Sequence, residues 1–342
     1  MLAAIFPVLQ ILKGETLLKS LKLLDPRFRP VFLDFEVYYP LKMYHEIVEE
    51  KGGRICEVPD NFFPRKPRKI FNVSELEKMH NMAFPKSFSI IGDIIIINDI
   101  PERSDPEKIG DIYRKNYGVR AVFLKASETA SDYRVAKWRR ISGFGTTFTV
   151  HKENNFYFAL DVSKVFFNPR LSGERARILR ETTSGEVVID MFMGVGPFSI
   201  PLAKKCAIVY GVDINKQAVE FAKTNCLINK IKEDKMTILH GDSREIVPTL
   251  GKIADRIIMN FPERSISFLP VALEAIKNNG KIHLYVFERA EEKKKAISIA
   301  TMRIKNTIKK SNVVFEIKYV SASREVAPRK YMIVVDLLVK RQ

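Results

Sequence analysis

Three carboxylates in the C-terminal half of the chain each follow a short apolar run: Asp190 after Val187-Val-Ile, Asp213 after Val209-Tyr-Gly-Val, and Asp242 just beyond Leu239. Asp190 leads into Met-Phe-Met-Gly194-Val-Gly196-Pro197, a glycine turn between a buried strand and a helix. Such a turn puts ligand-binding backbone at the carboxyl end of the first strand of an open α/β sheet. A glycine pair alone fits any tight strand-to-helix turn. Two neighbours narrow the choice. Ser199 stands where a dinucleotide fingerprint needs a third glycine, and a carboxylate just ahead of the turn opposes a pyrophosphate seated on a helix N-terminus. A cofactor bearing a sulfonium and an ammonium meets the reverse situation, because nearby negative charge stabilises a bound cation. The expected cofactor is S-adenosyl-L-methionine (SAM).

Asp213 lies 19 residues beyond Gly194, where a carboxylate can accept from both hydroxyls of a ribose. Asn215 reads as the cap of the next helix. Asp242 can accept from an adenine amino group, or be a turn or N-cap aspartate. Phe192, Ile214, Ser243 and Pro262 flank these positions and complete the expected cofactor set. After a further apolar run comes Asn260-Phe-Pro262, a turn signal. At this address the Asn260 amide suits holding the edge of an amino-bearing planar base.

These residues need a scaffold. From about residue 180, strand candidates at Val187 to Phe192, Ile208 to Val212, Met236 to Leu239, Arg256 to Met259, Lys281 to Phe287 and Tyr331 to Leu338 alternate with helical patterns such as Lys216 to Leu227. The alternation predicts βαβ units in a doubly wound, Rossmann-like α/β domain. Ahead of it, Phe88 to Asp99 reads as a hairpin, with strands at Ala121 to Leu124, Thr146 to His151 and Tyr157 to Val162, giving a mixed α/β middle domain. A small N-terminal α+β domain combines helical patterns at Thr16 to Leu24 and Leu41 to Glu50 with a strand at Val31 to Phe35. The turn-rich basic stretch Pro59 to Lys69 reads as a linker. The expected division is 1–62, 70–165 and 166–342.

Lys and Arg number 57 against 40 Asp and Glu, a net charge of +17. This balance favours a polyanion such as nucleic acid, or is the lysine-rich surface of a heat-adapted protein. Cys56, Cys206 and Cys226 share no CxxC spacing, so neither a disulfide framework nor a metal site is expected. The apolar start, Met1 to Leu12, holds Pro7 and lacks a basic lead and a cleavage site. No stretch approaches the roughly 20 apolar residues of a membrane span, and a soluble, cytoplasmic protein is expected.

Asp132-Tyr-Arg134-Val, His151-Lys-Glu-Asn154, Phe167-Asn-Pro-Arg170-Leu-Ser-Gly-Glu174-Arg175-Ala-Arg177-Ile, the Asp190 turn, Asp213-Ile-Asn215, Met259-Asn260-x-Pro262 and Ala327-Pro328-Arg329 form an ordered set. In order and spacing it resembles archaeal tRNA (guanine-37 N1)-methyltransferases over roughly residues 85–340. The chain departs from that pattern at Met193, where a small residue is common, and at Glu263-Arg264.

The resemblance implies methyl transfer to N1 of guanine 37, a base that must leave the anticodon stack to react. Guanine N1 carries a proton, so the reaction needs a base and stabilisation of charge on O6. The resemblance assigns these roles to Glu174 and Arg134. By residue type alone, Glu174 is equally a helix-start carboxylate, and Arg134 a surface arginine near Lys137, Arg139 and Arg140. Arg170, Arg175 and Arg177 are expected to meet tRNA phosphates. The N-terminal domain is expected to dock on the outer corner of the tRNA, and the chain to act as a monomer. Two other readings stand beside this one. The first is a paralogue that methylates, or transfers aminocarboxypropyl to, the tricyclic wyosine precursor; the second is a non-catalytic, SAM-responsive RNA-binding protein.

Overall fold

The structure is a computed structural model that describes residues 1–126, 136–205, 207–309, 311 and 313–340. The chain divides into two compact units: Met1–Ser172 with Leu227–Asn229, and Gly173–Cys226 with Lys230–Gln342.

The first unit opens with β1 (Leu2–Pro7), α1 (Ile11–Ser20), β2 (Val31–Leu33), β3 (Glu36–Leu41), α2 (Ile47–Glu50) and β4 (Arg54–Glu57). The strands form an antiparallel sheet in the order β2-β3-β1-β4. β1 is central, with Ala3, Ala4 and Phe6 fully buried. A strand covered on both faces reads as a continuous apolar run, so its period of two is invisible in the sequence. The helix expected from Leu41 to Glu50 is confined to α2, because Leu41 is paired at the end of β3.

Next come α3 (Val73–His80), β5 (Phe88–Ile91), β6 (Ile94–Ile97), α4 (Pro106–Tyr117), β7 (Ala121–Lys125) and β8 (Trp138–Gly143), with a second sheet ordered β5-β6-β7-β8. Both helices start on strong caps. Asn72 and Glu75 form a capping box on α3, and Asp105 caps α4 ahead of Pro106. The expected hairpin at 88–99 is β5 and β6, turning at Gly92 (φ +55°), where a Cβ would lie 2.1 Å from the Thr149 hydroxyl oxygen. β9 (Phe148–Glu153) and β10 (Phe156–Asp161) form a further hairpin.

A buried ion pair ties these pieces together. Arg120 Nε lies 2.9 Å from Asp93 Oδ2. Arg120 also donates to the carbonyls of Phe144 and Phe148, while Asp93 accepts from Thr149 Oγ1 and from the backbone N–H of Phe32 in β2. The stretch expected as an open linker is itself packed: Phe63 is buried, Arg29 N–H donates to the Pro64 carbonyl and Lys66 N–H to that of Arg27. By compactness residues 1–172 fall within one unit.

The second unit holds α5 (Ser172–Glu181, its first residue in the other unit), β11 (Val187–Asp190), α6 (Ser199–Lys204), β12 (Ile208–Asp213), α7 (Lys216–Ile228), β13 (Met236–His240), α8 (Ser243–Thr249), β14 (Ala254–Met259), α9 (Ser265–Ala275), β15 (Ile276–Arg289), α10 (Lys293–Ile308), β16 (Val314–Ala327) and β17 (Lys330–Lys340). Their sheet runs β13-β12-β11-β14-β15-β17-β16, parallel through β15 and antiparallel beyond it. Ile189, Ile257, Met259, Ile282, Leu284, Val335 and Leu337 are fully buried in its core. The expected doubly wound sheet is present, with β16 as an unexpected edge strand. The winding reverses between β11 and β14, so the crevice that binds ligands in such sheets opens outside the carboxyl ends of these two strands.

Candidate functional site

The loops around that crevice are fastened from below. Met191 N–H donates to Ile258 O, Met193 N–H to Val212 O and Gly241 N–H to Asp213 O, so the ends of β11, β12, β13 and β14 brace one another. Gly194 and Gly196 have φ of +59° and +86°, a region that side chains other than Gly rarely enter. Met193, the departure from the family pattern, points back into the unit and lies over Gly211 of β12. A Cβ on Gly211 would sit 2.3 Å from the Met193 sulfur.

Asp190 is 1% exposed; its carboxylate accepts from Ser199 Oγ at 2.7 Å and from Phe192 N–H at 3.4 Å. Burial, with Asp213 adding like charge, pushes its pKa up to about 7. Asp213 accepts from Gly194 N–H at 2.6 Å and Asn215 N–H at 2.9 Å, one on each oxygen, and burial raises its pKa too. Each oxygen keeps a lone pair for a further donor. Neither carboxylate forms an ion pair among the described residues, and His240 is the one basic group whose charge is felt at Asp213. Two close carboxylates are costly unless positive charge joins them. This arrangement fits a cofactor that brings positive charge.

The other expected cofactor residues fall around this pair. Ile214 is 42% exposed beside Asp213, a free apolar surface at the strand end. The Phe192 ring meets Phe261 and Phe268 edge-on at 5.2 and 5.0 Å. Asp242 caps α8 through Arg244 N–H at 2.8 Å and is paired to the Arg244 guanidinium, which holds its carboxyl below the usual range. The turn-and-cap reading of Asp242 is thus realised. Ser243 is buried and donates to Met191 O at 2.5 Å, binding α8 to the glycine turn.

Asn260 and Pro262 sit on a turn knotted by Ser265. Its hydroxyl accepts from Phe261 N–H and lies 2.9 and 2.8 Å from the carbonyls of Met259 and Phe261. The Asn260 carboxamide makes no hydrogen bond among the described residues and is half-buried. It is therefore available to a ligand. Beside the turn lies a cleft of about 550 Å³ whose walls include Arg244, Pro262, Arg264, Phe268, Arg303 and Thr307.

Glu174 lies in the first turn of α5, preceded by a 3₁₀ turn that Asn168 caps. One oxygen, Oε2, accepts from Arg177 Nε and Nη2 at 3.1 and 3.0 Å; Oε1 makes no hydrogen bond among the described residues. Two of the three arginines expected to meet phosphate are committed elsewhere. Arg175 is 4% exposed, with its guanidinium over Phe198, and Arg177 is bound to Glu174, Glu181 and Asp336. Arg175 is buried and Arg177 half-buried in these contacts, which the sequence does not foreshadow. Arg170 is exposed and donates to Phe88 O. Arg134 lies outside the described residues.

Sequence reasoning missed the residues that hold the site from behind. Ser199 is the partner of Asp190, Ser265 knots the Asn260 turn, and Asn225, fully buried on α7, donates to Val195 O in the glycine turn at 3.0 Å. A polar residue on the buried face of α7 is the signal that marks Asn225.

A family model described as the TRM5/TYW2 methyltransferase domain matches residues 149–316, and one for the TYW2 N-terminal domain matches residues 68–146. A tRNA (guanine(37)-N(1))-methyltransferase Trm5b of Pyrococcus abyssi is 38% identical over 312 residues, 90% of this chain and 88% of that protein. This chain belongs to the tRNA (guanine-37 N1)-methyltransferase family. The family covers both units, and the unpaired carboxylates, the glycine turn and the Asn260 turn lie within its methyltransferase domain. A tRNA 4-demethylwyosine(37)-methyltransferase, Taw21, of Saccharolobus solfataricus is 31% identical over 74% of this chain and 93% of its own length. Among solved structures, a complex of an aTrm5 with tRNALeu matches 99% of both chains, with 28% identity and a TM-score of 0.68. The protein is a SAM-dependent methyltransferase. Among the described residues no helix is long and apolar enough to cross a membrane.

Proposed function

We propose that the protein transfers the methyl group of SAM to N1 of guanine 37 in tRNA, with Glu174 as base and Asn260 holding the guanine edge. The observation that carries the reading is the Asp190–Asp213 pair, a buried and a half-buried carboxylate with no ion pair among the described residues, at the switch point of the sheet. When bound, SAM supplies an electrophilic methyl on a sulfonium. The protein's part is positioning and proton transfer. Asp213 has lone pairs left for ribose hydroxyls, Ile214 offers apolar surface to the adenine, and Gly194 and Gly196 let the backbone approach the ligand; Phe192, Asp242, Ser243 and Pro262 frame the same crevice. Asp190, buried under the turn, acts on the cationic end through its field.

Guanine N1–H is weakly acidic, so the proton must pass to a base as the nitrogen lone pair is used. Glu174 takes it, and Arg134 stabilises the charge that moves to O6. The Asn260 amide offers a donor and an acceptor to the guanine edge. tRNA is the partner: Arg170 meets phosphates, residues 1–62 dock on the outer corner, 70–165 form the middle part, and 166–342 carry the chemistry. The protein acts as a monomer in the cytoplasm. The likeness to Taw21 supports a second substrate, the tricyclic wyosine precursor at the same position.

Incubation with unmodified tRNA and labelled SAM, followed by nucleoside mass spectrometry, tests the reading: 1-methylguanosine is expected, and guanosine 37 recovered without a methyl group overturns it. Glu174→Gln should slow single-turnover methyl transfer at least about tenfold while leaving SAM affinity nearly unchanged. A wild-type rate removes Glu174 from the role of base.

A further inference from the structure

Behind Glu174 lies a chain of linked charges, running from the surface at Glu181 to the buried His283 and Arg256, that the proposed reaction does not use. Arg177 Nη1 donates to Asp336 Oδ2 at 2.6 Å and to Glu181 Oε1 at 3.0 Å, while its Nε and Nη2 hold Glu174. Asp336, on β17, is 2.7 Å from Nδ1 of His283 on β15, which is fully buried. His283 Nε2 is 2.5 Å from Nη1 of Arg256 on β14, and Arg256 pairs with Glu186. An arginine is a donor only, so His283 Nε2 must accept and its proton sits on Nδ1, donated to Asp336. Burial lowers the His283 pKa, in keeping with a neutral ring.

Glu181, His283 and Asp336 bring their ligand atoms within 4.8 Å of one another, which on distance alone suggests a cation site. Two guanidiniums already occupy those atoms. The cluster is an ion-pair network in which four carboxylates face two arginines.

An isolated Arg–Glu pair would make Glu174 a poor base, because an adjacent cation lowers the proton affinity of a carboxylate. Asp336 and Glu181 offset that cation. They also give the guanidinium a place to stay once Glu174 is neutral.

We propose that Asp336, oriented by His283, is a positioning residue for methyl transfer: it holds Arg177 and balances its charge, so that Glu174 can accept the guanine N1 proton without leaving the half-buried guanidinium unpaired. The proposal rests on Glu174 being the base. The proton leaves N1 for a Glu174 oxygen, Glu174 becomes a neutral acid, and Arg177 remains paired to Asp336 and Glu181. The groups around Glu174 are Arg175, Arg177 and Glu181 of its own helix, Asp336 of β17, and His283 and Tyr285 of β15.

The test is the acidic limb of the single-turnover rate against pH, read on the full chain with tRNA and saturating SAM. Asp336→Asn leaves Arg177 less balanced, so the limb should move to lower pH by about half a unit or more and the plateau rate should fall severalfold. Arg177→Gln should move the limb the other way. S-adenosylhomocysteine affinity, which also reports folding, should hold in both. If Asp336→Asn does not fold, Arg177→Gln and His283→Gln carry the test. A limb unmoved in the folded variants overturns the proposal while leaving Glu174 as base. A wild-type rate and limb in Glu174→Gln instead overturns the assignment beneath it.

Discussion

The pairing of buried Asp190 with half-buried Asp213 makes cofactor binding a titration. Asp190 has a pKa near 7 because burial and Asp213 oppose its ionisation, and a cationic cofactor favours the ionised form. With a pKa of 7, about a tenth of the protein has Asp190 ionised at pH 6 and about half at pH 7. If the ionised form is the one that binds, SAM affinity rises about fivefold across that single unit. Isothermal titration of SAM into the full chain at pH 6.0, 6.5 and 7.0 reads the slope directly. Asp190→Asn, neutral throughout, should bind more weakly at pH 7 and show little slope. The sign for stability runs opposite. A folded pKa raised above the unfolded value gives stability that is complete below about pH 4 and lost as pH rises toward 7, about 1.4 kcal/mol per unit at most. Wild type without cofactor should therefore lose stability relative to Asp190→Asn over that window, and SAM should restore it. A pH-independent wild-type affinity, or an equal slope in Asp190→Asn, would refute the reasoning.

Two further expectations concern the scaffold. Asp93→Ala leaves Arg120 buried and unpaired and should cost about 3–5 kcal/mol in chemical denaturation; a loss under about 1 kcal/mol would mean that water reaches the site. Gly211→Ala should cost about 1–3 kcal/mol, because the new methyl overlaps Met193. Pairing it with Met193→Ala should recover part of that loss, and additive costs in the double variant would show that the two positions are not in contact.

Much of the second unit was legible because its strands are short, apolar and separated by helices, and because the glycine turn and the three aspartates mark strand ends. β16 escaped: as an edge strand it mixes Glu316, Lys318, Ser321 and Glu325 with apolar residues, and neither period dominates. In the first unit, β1 was hidden by burial on both faces, and β8 by Arg139 and Arg140 on its exposed positions. For the site, residue type identified the acids but not their partners. Nothing in the spacing announces that Arg177 turns inward, since its company comes from β17, more than 150 residues away. Asp242 shows the complementary limit: the carboxylate was found, and the arginine two residues on decides what it does.

The contact between Met193 and Gly211 also bears on how such a chain can change by single substitutions. A side chain larger than glycine at 211 must displace the thioether that lies across it, whereas shortening 193 opens a gap in the buried cluster it shares with Val219 and Ala222. Each substitution made alone is therefore a cost, one of crowding and the other of emptiness, and the two made together offset each other because the volume lost at 193 is taken up at 211.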